Sequence, residues 1–249
     1  MIAPEAQAPR LTVLCMKWGT KYGPEYVNRL YAMVSRHLTE RRCRFLCLTD
    51  ETTGLRPEVD TAPIPSLPPV PPRERGWRKL AAFSPEAAER LCETVLYLDL
   101  DVVVMGSLDP FLEHPGVFPM IRDWYHPFRV VGNSSVFRFR PAEQAELFDC
   151  FRRNADDIAR RFRNEQEFVT DYLRRRGELS FWPPDWAPSY RVGCLPLWPL
   201  RVWRSPQPPS GARVIVFHGA PKPPEAIAGR RGVFQTFRPA PWIADHWRE

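Results

Sequence analysis

The strongest constraint on the fold lies in the first fifty residues. Leu11-Thr-Val-Leu-Cys-Met16 is a short apolar run that stops at Trp18-Gly19-Thr20, and Arg44-Phe-Leu-Cys-Leu-Thr49 is a second that stops at Asp50. Between them Tyr26, Leu30, Val34 and Leu38 recur at helical spacing, and Pro24 is suited to a first helical turn. Two buried strands joined by a helix of this length cannot pair as a tight hairpin, and the short solution is a crossover to a parallel neighbour. The chain is therefore expected to be α/β, with a sheet that is at least partly parallel. At 249 residues and 44% apolar content, it can bury one substantial domain or two small ones, which sets aside disordered and fibrous classes.

A third apolar strand, Glu93-Thr-Val-Leu-Tyr-Leu98, delivers Asp99 and Asp101, and a further strand is expected at Val102 to Met105. Ala62 to Pro72 is mostly proline, which forbids a central strand or helix and predicts an extended surface loop. Trp77 to Leu91 reads as helix despite Pro85. Later segments predict a strand at Ser135 to Phe139, helices across Pro141 to Ile158 and Gln166 to Arg175, and a last strand at Arg213 to His218. Between these, Trp182 to Pro209 is rich in Trp and Pro and reads as ordered but irregular.

The balance of 35 basic against 29 acidic residues suits an anionic small molecule, a membrane surface or nucleic acid equally well. Nucleic acid is the weakest of these, because the basic residues are dispersed and carry no recognition motif. Arg152-Arg153 and Arg160-Arg161 read as solvated helix faces that could touch anionic lipid headgroups. The first ten residues include Glu5 and lack an apolar core, so no leader peptide is expected, and no stretch is apolar enough to span a bilayer. Six cysteines are spread singly without metal-ligand spacing, which predicts a reducing cytoplasm and no structural zinc.

The aspartate pair carries the chemistry. An apolar strand ending in Asp-x-Asp sets two carboxylates at the C-terminal edge of a sheet, where open α/β sheets bind ligands. Hard divalent ions take one or two protein carboxylates together with phosphate oxygens, so the pair is a candidate for holding a cation against a diphosphate. Strands also often end in acidic turn residues, but Tyr97-Leu98-Asp99-Leu100-Asp101-Val102-Val103-Val104 is apolar on both flanks. At least one carboxylate would then be forced toward the core without a partner. Phosphatases of the haloacid dehalogenase type open on a similar strand, but theirs lies near the start of the domain, whereas a strand–helix–strand unit precedes this one.

With these motifs in order, the chain resembles the nucleotide-diphospho-sugar transferases of GT-A fold, and within them bacterial proteins like those of glycosyltransferase family 8. Lys17, Trp18, Gly19, Thr20 and Tyr22 resemble that family's first nucleotide-binding loop, and Asp50 is placed like its base-reading acid. Arg78-Lys79-Leu80 is similar to its basic segment before the aspartates, and Asn133-Ser134-Ser135-Val136 to its Asn-Ala-Gly-Val sugar-binding turn. Glu165-Gln166-Glu167 resembles its Asp-Gln-Asp helix start, and His218-Gly219 with Lys222-Pro223 its C-terminal segment. Val216 stands where the family commonly has its histidine, with His218 one pleat further on the same expected strand.

The resemblance implies a flexible stretch at 1–10 and one GT-A domain over 11–249, a mostly parallel mixed sheet flanked by helices. The nucleotide would be bound by about 11–105 and the acceptor by about 106–249. It implies a retaining, metal-dependent glycosyltransferase of polysaccharide biosynthesis, with Asp99, Asp101 and His218 on Mn2+ or Mg2+, and Gln166 and Asp101 in catalysis. Lys17, Trp18, Gly19, Thr20, Asp50, Arg78, Lys79, Asn133, Ser134, Gly219 and Lys222 would bind the nucleotide sugar. The partners it implies are that donor, a surface glycan or glycolipid acceptor, and a peripheral contact with the inner face of the membrane. The alternatives are the phosphatase, acting through Asp99 and Asp101, and a nucleotide-sugar-binding protein that has lost turnover. Trp182, Trp186, Trp198 and Trp203 are candidates for stacking on acceptor sugars, though core packing is the commoner use of such residues.

Overall fold

The structure is a computed structural model that describes residues 9–39, 43–69, 76–125, 128–230 and 236–249. Residues 1–8 of the expected flexible stretch and 70–72 of the proline loop lie outside the described residues. The strands are β1 (Leu11–Lys17), β2 (Cys43–Thr49), β3 (Asp60–Ala62), β4 (Thr94–Leu98), β5 (Val102–Val104), β6 (Phe118–Arg122), β7 (Gly132–Phe139), β8 (Leu179–Phe181) and β9 (Val214–Val216). The α-helices are α1 (Pro24–His37), α2 (Pro85–Ala88), α3 (Asp109–Glu113), α4 (Pro141–Arg153), α5 (Ala155–Arg161), α6 (Glu165–Arg176), α7 (Pro223–Ala228) and α8 (Trp242–His246).

Seven strands form one mixed sheet in the order β3-β2-β1-β4-β7-β6-β8. From β3 through β4 the neighbours are parallel, β7 runs antiparallel to both β4 and β6, and β8 is parallel to β6. The crossover β1–α1–β2 is the one the periodicity predicts. Alternation along the strands divides the apolar residues between two cores, because both faces of the sheet are covered. Val13, Cys15, Phe45, Cys47, Leu96 and Leu98 pack with Val27, Leu30 and Met33 of α1. Leu14, Met16, Leu46, Leu48, Val95 and Tyr97 pack on the other side, with Leu147 and Phe151 of α4 and Phe168 of α6.

Three sequence expectations are corrected. The helix expected over Trp77 to Leu91 is a 3-10 turn over Trp77–Phe83 followed by the separate α2, because Pro85 lacks an amide proton and forces Ser84 out of helical geometry. Ser84 instead caps α2, its side chain accepting from the Ala87 amide. The expected turn at Asn133 to Val136 is the interior of β7, which starts at Gly132. The expected strand at Val102 to Met105 forms as β5, which pairs antiparallel with β9 outside the main sheet. Finally, β9 ends at Val216, so His218 lies beyond the strand rather than one pleat along it. The short strands β3, β6 and β8 were not anticipated, since three to five residues are too few to show a period.

Candidate active site

The parallel strands β1, β2 and β4 all end at the same sheet edge, which brings the 18–22 loop, Asp50 and Asp99 together. Because β7 runs antiparallel to β4, its start lies beside the end of β4, and the Asp99 amide donates to the Ser135 carbonyl at 2.9 Å. A cleft of about 450 Å³ opens here, lined by Trp18, Thr20, Tyr22, Lys79, Asp99 and Asp101, with Met16, Gly19, Lys21, Gly76 and Leu100 completing the wall.

Asp99 forms the inner side of the cleft. Lys79, presented by the 3-10 turn, donates to it at 2.8 Å and also reaches the Ser134 carbonyl at 3.1 Å and hydroxyl at 3.2 Å. The Ser134 hydroxyl donates to Glu165 at the start of α6, which lies 3.9 Å from Lys79. Gly76 makes this approach possible, because its backbone is left-handed and a Cβ there would sit 2.5 Å from the Glu165 carboxylate. Burial pushes the carboxyls of Asp99 and Glu165 above the ordinary range, and Lys79 opposes the rise at both. Burial would also lower the Lys79 ammonium, but Asp99 and Glu165 outweigh it and the net shift is upward, so the lysine holds its proton.

The outer side belongs to Asp101, and loops supply its partners. One oxygen, Oδ2, accepts from the Tyr22 hydroxyl at 2.7 Å and from the Lys222 ammonium. Burial and the Asp101 charge hold the Tyr22 phenol well above its ordinary pKa, so it stays a donor. Lys222 caps α7 and also reaches the Phe217 carbonyl, while the Phe217 amide donates to the Asp101 carbonyl. His218, one residue on, pairs its Nε2 with the Ser189 hydroxyl at 2.6 Å and stacks on Trp124 at 5.1 Å. Burial, with Arg191 adding to it, lowers the imidazole pKa, which leaves the ring neutral at neutral pH.

The remaining candidates lie around this centre. Asp50 does not line the cleft; its carboxylate accepts from the Gly19 amide at 3.0 Å and shapes the loop, with Gly19 itself left-handed. Arg78 is exposed on the outer face of the 3-10 turn, whereas Lys79 faces inward. Lys17 is buried at the end of β1 beside Thr49. Asn133 is buried in β7, bonds the Ser135 amide at 3.0 Å and approaches the Gln166 side chain at 3.5 Å. Gly219 is left-handed next to Arg191. Of the Trp-rich stretch, Trp182 is buried and donates to the Val136 carbonyl, while Trp198 and Trp203 are exposed. The partnership of Glu165 with Lys79, and that of Ser189 with His218, carried no sequence signal, because each joins segments far apart in the chain.

No group of three His, Cys, Asp or Glu side chains capable of holding a metal forms among the described residues. The donor chemistry nevertheless fits a hard cation that completes its shell with ligand oxygens. The two ammonium groups face three carboxylates, leaving a negative excess, and Tyr22 and Lys222 both meet Asp101 at Oδ2. A neutral His218 is also the form that ligates metals.

No family profile matches the chain, and neither does any curated protein. Solved structures do. An active-site mutant of LgtC aligns with a TM-score of 0.59 at 14% identity, covering 85% of this chain and 89% of that one. The galactosyltransferase LgtC in complex with donor and acceptor sugar analogues aligns equally well, at 13% identity over 85% and 88% of the two chains. The apo-form glycosyltransferase GlyE of Streptococcus pneumoniae matches at 12% identity and a TM-score of 0.59, covering 96% of this chain but 60% of its own length. The fold is therefore the GT-A fold, as the motif resemblance implied.

Proposed function

We propose that the chain is a glycosyltransferase that takes a sugar from a nucleotide diphosphate bound in the Trp18–Asp101 cleft and passes it to a glycan or glycolipid acceptor. The observation that carries this reading is the pair Asp99 and Asp101, set at the sheet edge and facing one cleft between two lysines. The similar enzyme LgtC, solved with donor and acceptor sugar analogues, supports it.

Asp99 and Asp101 would hold a divalent cation, Mn2+ or Mg2+, with His218 as a third donor. Bound there, the cation would stabilise charge on the departing diphosphate. The lysines supply further positive charge at either side, Lys222 from the proline-flanked cap of α7 and Lys79 from the 3-10 turn. The 17–20 loop and Asp50 would receive the nucleoside, with Arg78 outside the first contacts. Asn133, Ser134 and Gly219 would border the sugar. Gln166 is a weak nucleophile, so its amide would orient the sugar and stabilise positive charge on the ring; retention of configuration is what the family resemblance implies. The acceptor would approach from the side built by 106–249. A protein of this kind would work in the cytoplasm at the inner face of the membrane, and no helix among the described residues is long and apolar enough to cross one.

A thermal-shift panel of nucleotide sugars with and without Mn2+, followed by a transfer assay with the stabilising donor, tests the reading, since ligands that bind the native state raise its melting temperature. Metal-dependent stabilisation by one class of nucleotide sugar, with sugar transfer or slow donor hydrolysis, is the expected result. Stabilisation without turnover would reduce the chain to a binding protein, and no stabilisation by any donor would reject the assignment.

A further inference from the structure

We infer that the segment 240–247 is a positioning element for the outer side of the cleft, in which Trp247 holds Tyr22 on Asp101. The role deepens the reading of the cleft as a nucleotide diphosphate site and rests on that reading.

Trp247 follows α8, and its amide donates to the Ile243 carbonyl at 2.7 Å. Both side chains are buried, which docks this end of the chain on the core that contains α1. The Trp247 ring meets Tyr26 of α1 edge-on, with centroids 5.2 Å apart, and the Arg29 guanidinium lies 4.0 Å over it. Tyr26 and Arg29 are three residues apart and so neighbours on one helix face, which lets a single indole engage both. Tyr26 in turn meets Tyr22 at 4.7 Å, and the Tyr22 hydroxyl donates to Asp101 at 2.7 Å. Three rings thus connect the segment to the carboxylate.

The same segment supports the other partner of Asp101. α8 packs against α7, and the Ala240 amide donates to the Ala226 carbonyl at 3.0 Å. Lys222 caps α7, with its amide on Glu225 at 2.9 Å, and its ammonium both pairs with Asp101 and lies 5.4 Å over the Tyr22 ring. The inner side of the cleft has different support: Lys79 comes from the 3-10 turn, where Trp77 stacks on Phe151 of α4 in the other core. Removing a buried indole leaves a void into which its neighbours relax only in part, and aromatic pairs keep their preferred offset and edge-on geometries as they move. A displaced Tyr26 would carry Tyr22 with it. Hydrogen bonds weaken steeply with distance and angle, so the Tyr22 bond to Asp101 would be lost while the core remains packed.

The test is calorimetry of the full chain with UDP, GDP and ADP, each with Mn2+, at a temperature where near-UV circular dichroism shows the variants folded. Trp247→Leu should weaken the tightest of these diphosphates about fivefold, whereas Trp247→Phe, which keeps a ring on Tyr26, should stay within about twofold of the parent chain. A residue used only for packing would lower the melting temperature of Trp247→Leu and leave its affinity unaltered, and that result would overturn the proposal. A second measurement needs no ligand: Tyr22→Phe is introduced into the parent chain and into Trp247→Leu, and each pair is unfolded in urea. The destabilisation from Tyr22→Phe, up to about fivefold in the unfolding constant of the parent chain, should vanish beside Trp247→Leu. Additive losses would also overturn the proposal. Should Trp247→Leu fail to fold, Tyr26→Leu breaks the row of rings at its middle and is read in the same way in both measurements. A parent chain that binds none of the three diphosphates would sink the transferase reading, and the urea cycle would then decide by itself whether Trp247 holds Tyr22.

Discussion

The inner and outer sides of the cleft contain carboxylates two residues apart in sequence, yet they are built on different principles. Asp99 is surrounded by regular elements: β4 carries it, β7 runs alongside, the 3-10 turn brings Lys79, and the start of α6 brings Glu165. Asp101 is surrounded by loops, with Tyr22 from the segment after β1 and Lys222 from the segment after β9. Partners from rigid elements keep one geometry, and those from loops can be exchanged at low cost. The inner side is thus a charge network set in regular elements, and the outer side is one whose donors come from the segments after β1 and β9.

The largest effect that could break this contrast is on stability. Lys79→Met should cost about 3–5 kcal/mol in urea denaturation, because it leaves Asp99 and Glu165 buried without a counter-charge. A loss below about 1 kcal/mol would mean that the inner network is not structural. The outer side should show its effects in binding. Asp101→Asn is expected to weaken Mn2+-dependent nucleotide diphosphate binding about a hundredfold, ~2.8 kcal/mol, with little loss of folding. Calorimetry that returned unchanged affinity would reject Asp101 as the cation's holder.

Lys222→Ala should weaken diphosphate binding about tenfold while leaving nucleoside binding nearly unaltered. Equal losses for both ligands would remove Lys222 from the phosphate site. Tyr22→Phe deletes one hydrogen bond to Asp101 and should cost about 1 kcal/mol or less in thermal unfolding; a larger loss would place Tyr22 in the fixed network. The mildest change is expected from Glu165→Gln. The folded chain holds the Glu165 proton more tightly than the unfolded chain, because burial raises this carboxyl. Stability from this group is therefore present at low pH and falls as pH rises from the ordinary carboxylate range through the raised value. Glu165→Gln should flatten that decline, and a stability curve of unchanged slope would show that Glu165 does not titrate there.

How far the sequence could be read depended on how local the cause of each feature was. The β1–α1–β2 unit and β4 were legible because their apolar periods run over five residues or more within one segment. The cleft's position followed from them, since parallel strands deliver their ends to one edge. The break at Ser84-Pro85 is equally local, since proline's missing donor ends a helix at that point. The motif resemblance implies a turn over Asn133 to Val136, whereas the chain there is strand from Gly132 onward. Long-range pairing with β4 and β6 extends that segment into a strand, and this pairing cannot be seen within the segment itself.

By itself the sequence determined the class of fold, the edge where chemistry is possible, and the presence there of Asp99 and Asp101, because hydrophobic period and strand direction act over short stretches of chain. Only the tertiary structure decided how each carboxylate is partnered. Lys79 meets Asp99 across 20 positions and Lys222 meets Asp101 across 121. It also decided that Glu165 joins the inner network and that His218 turns to Ser189. Contacts between distant segments depend on how whole elements pack, and no spacing rule in the chain encodes them.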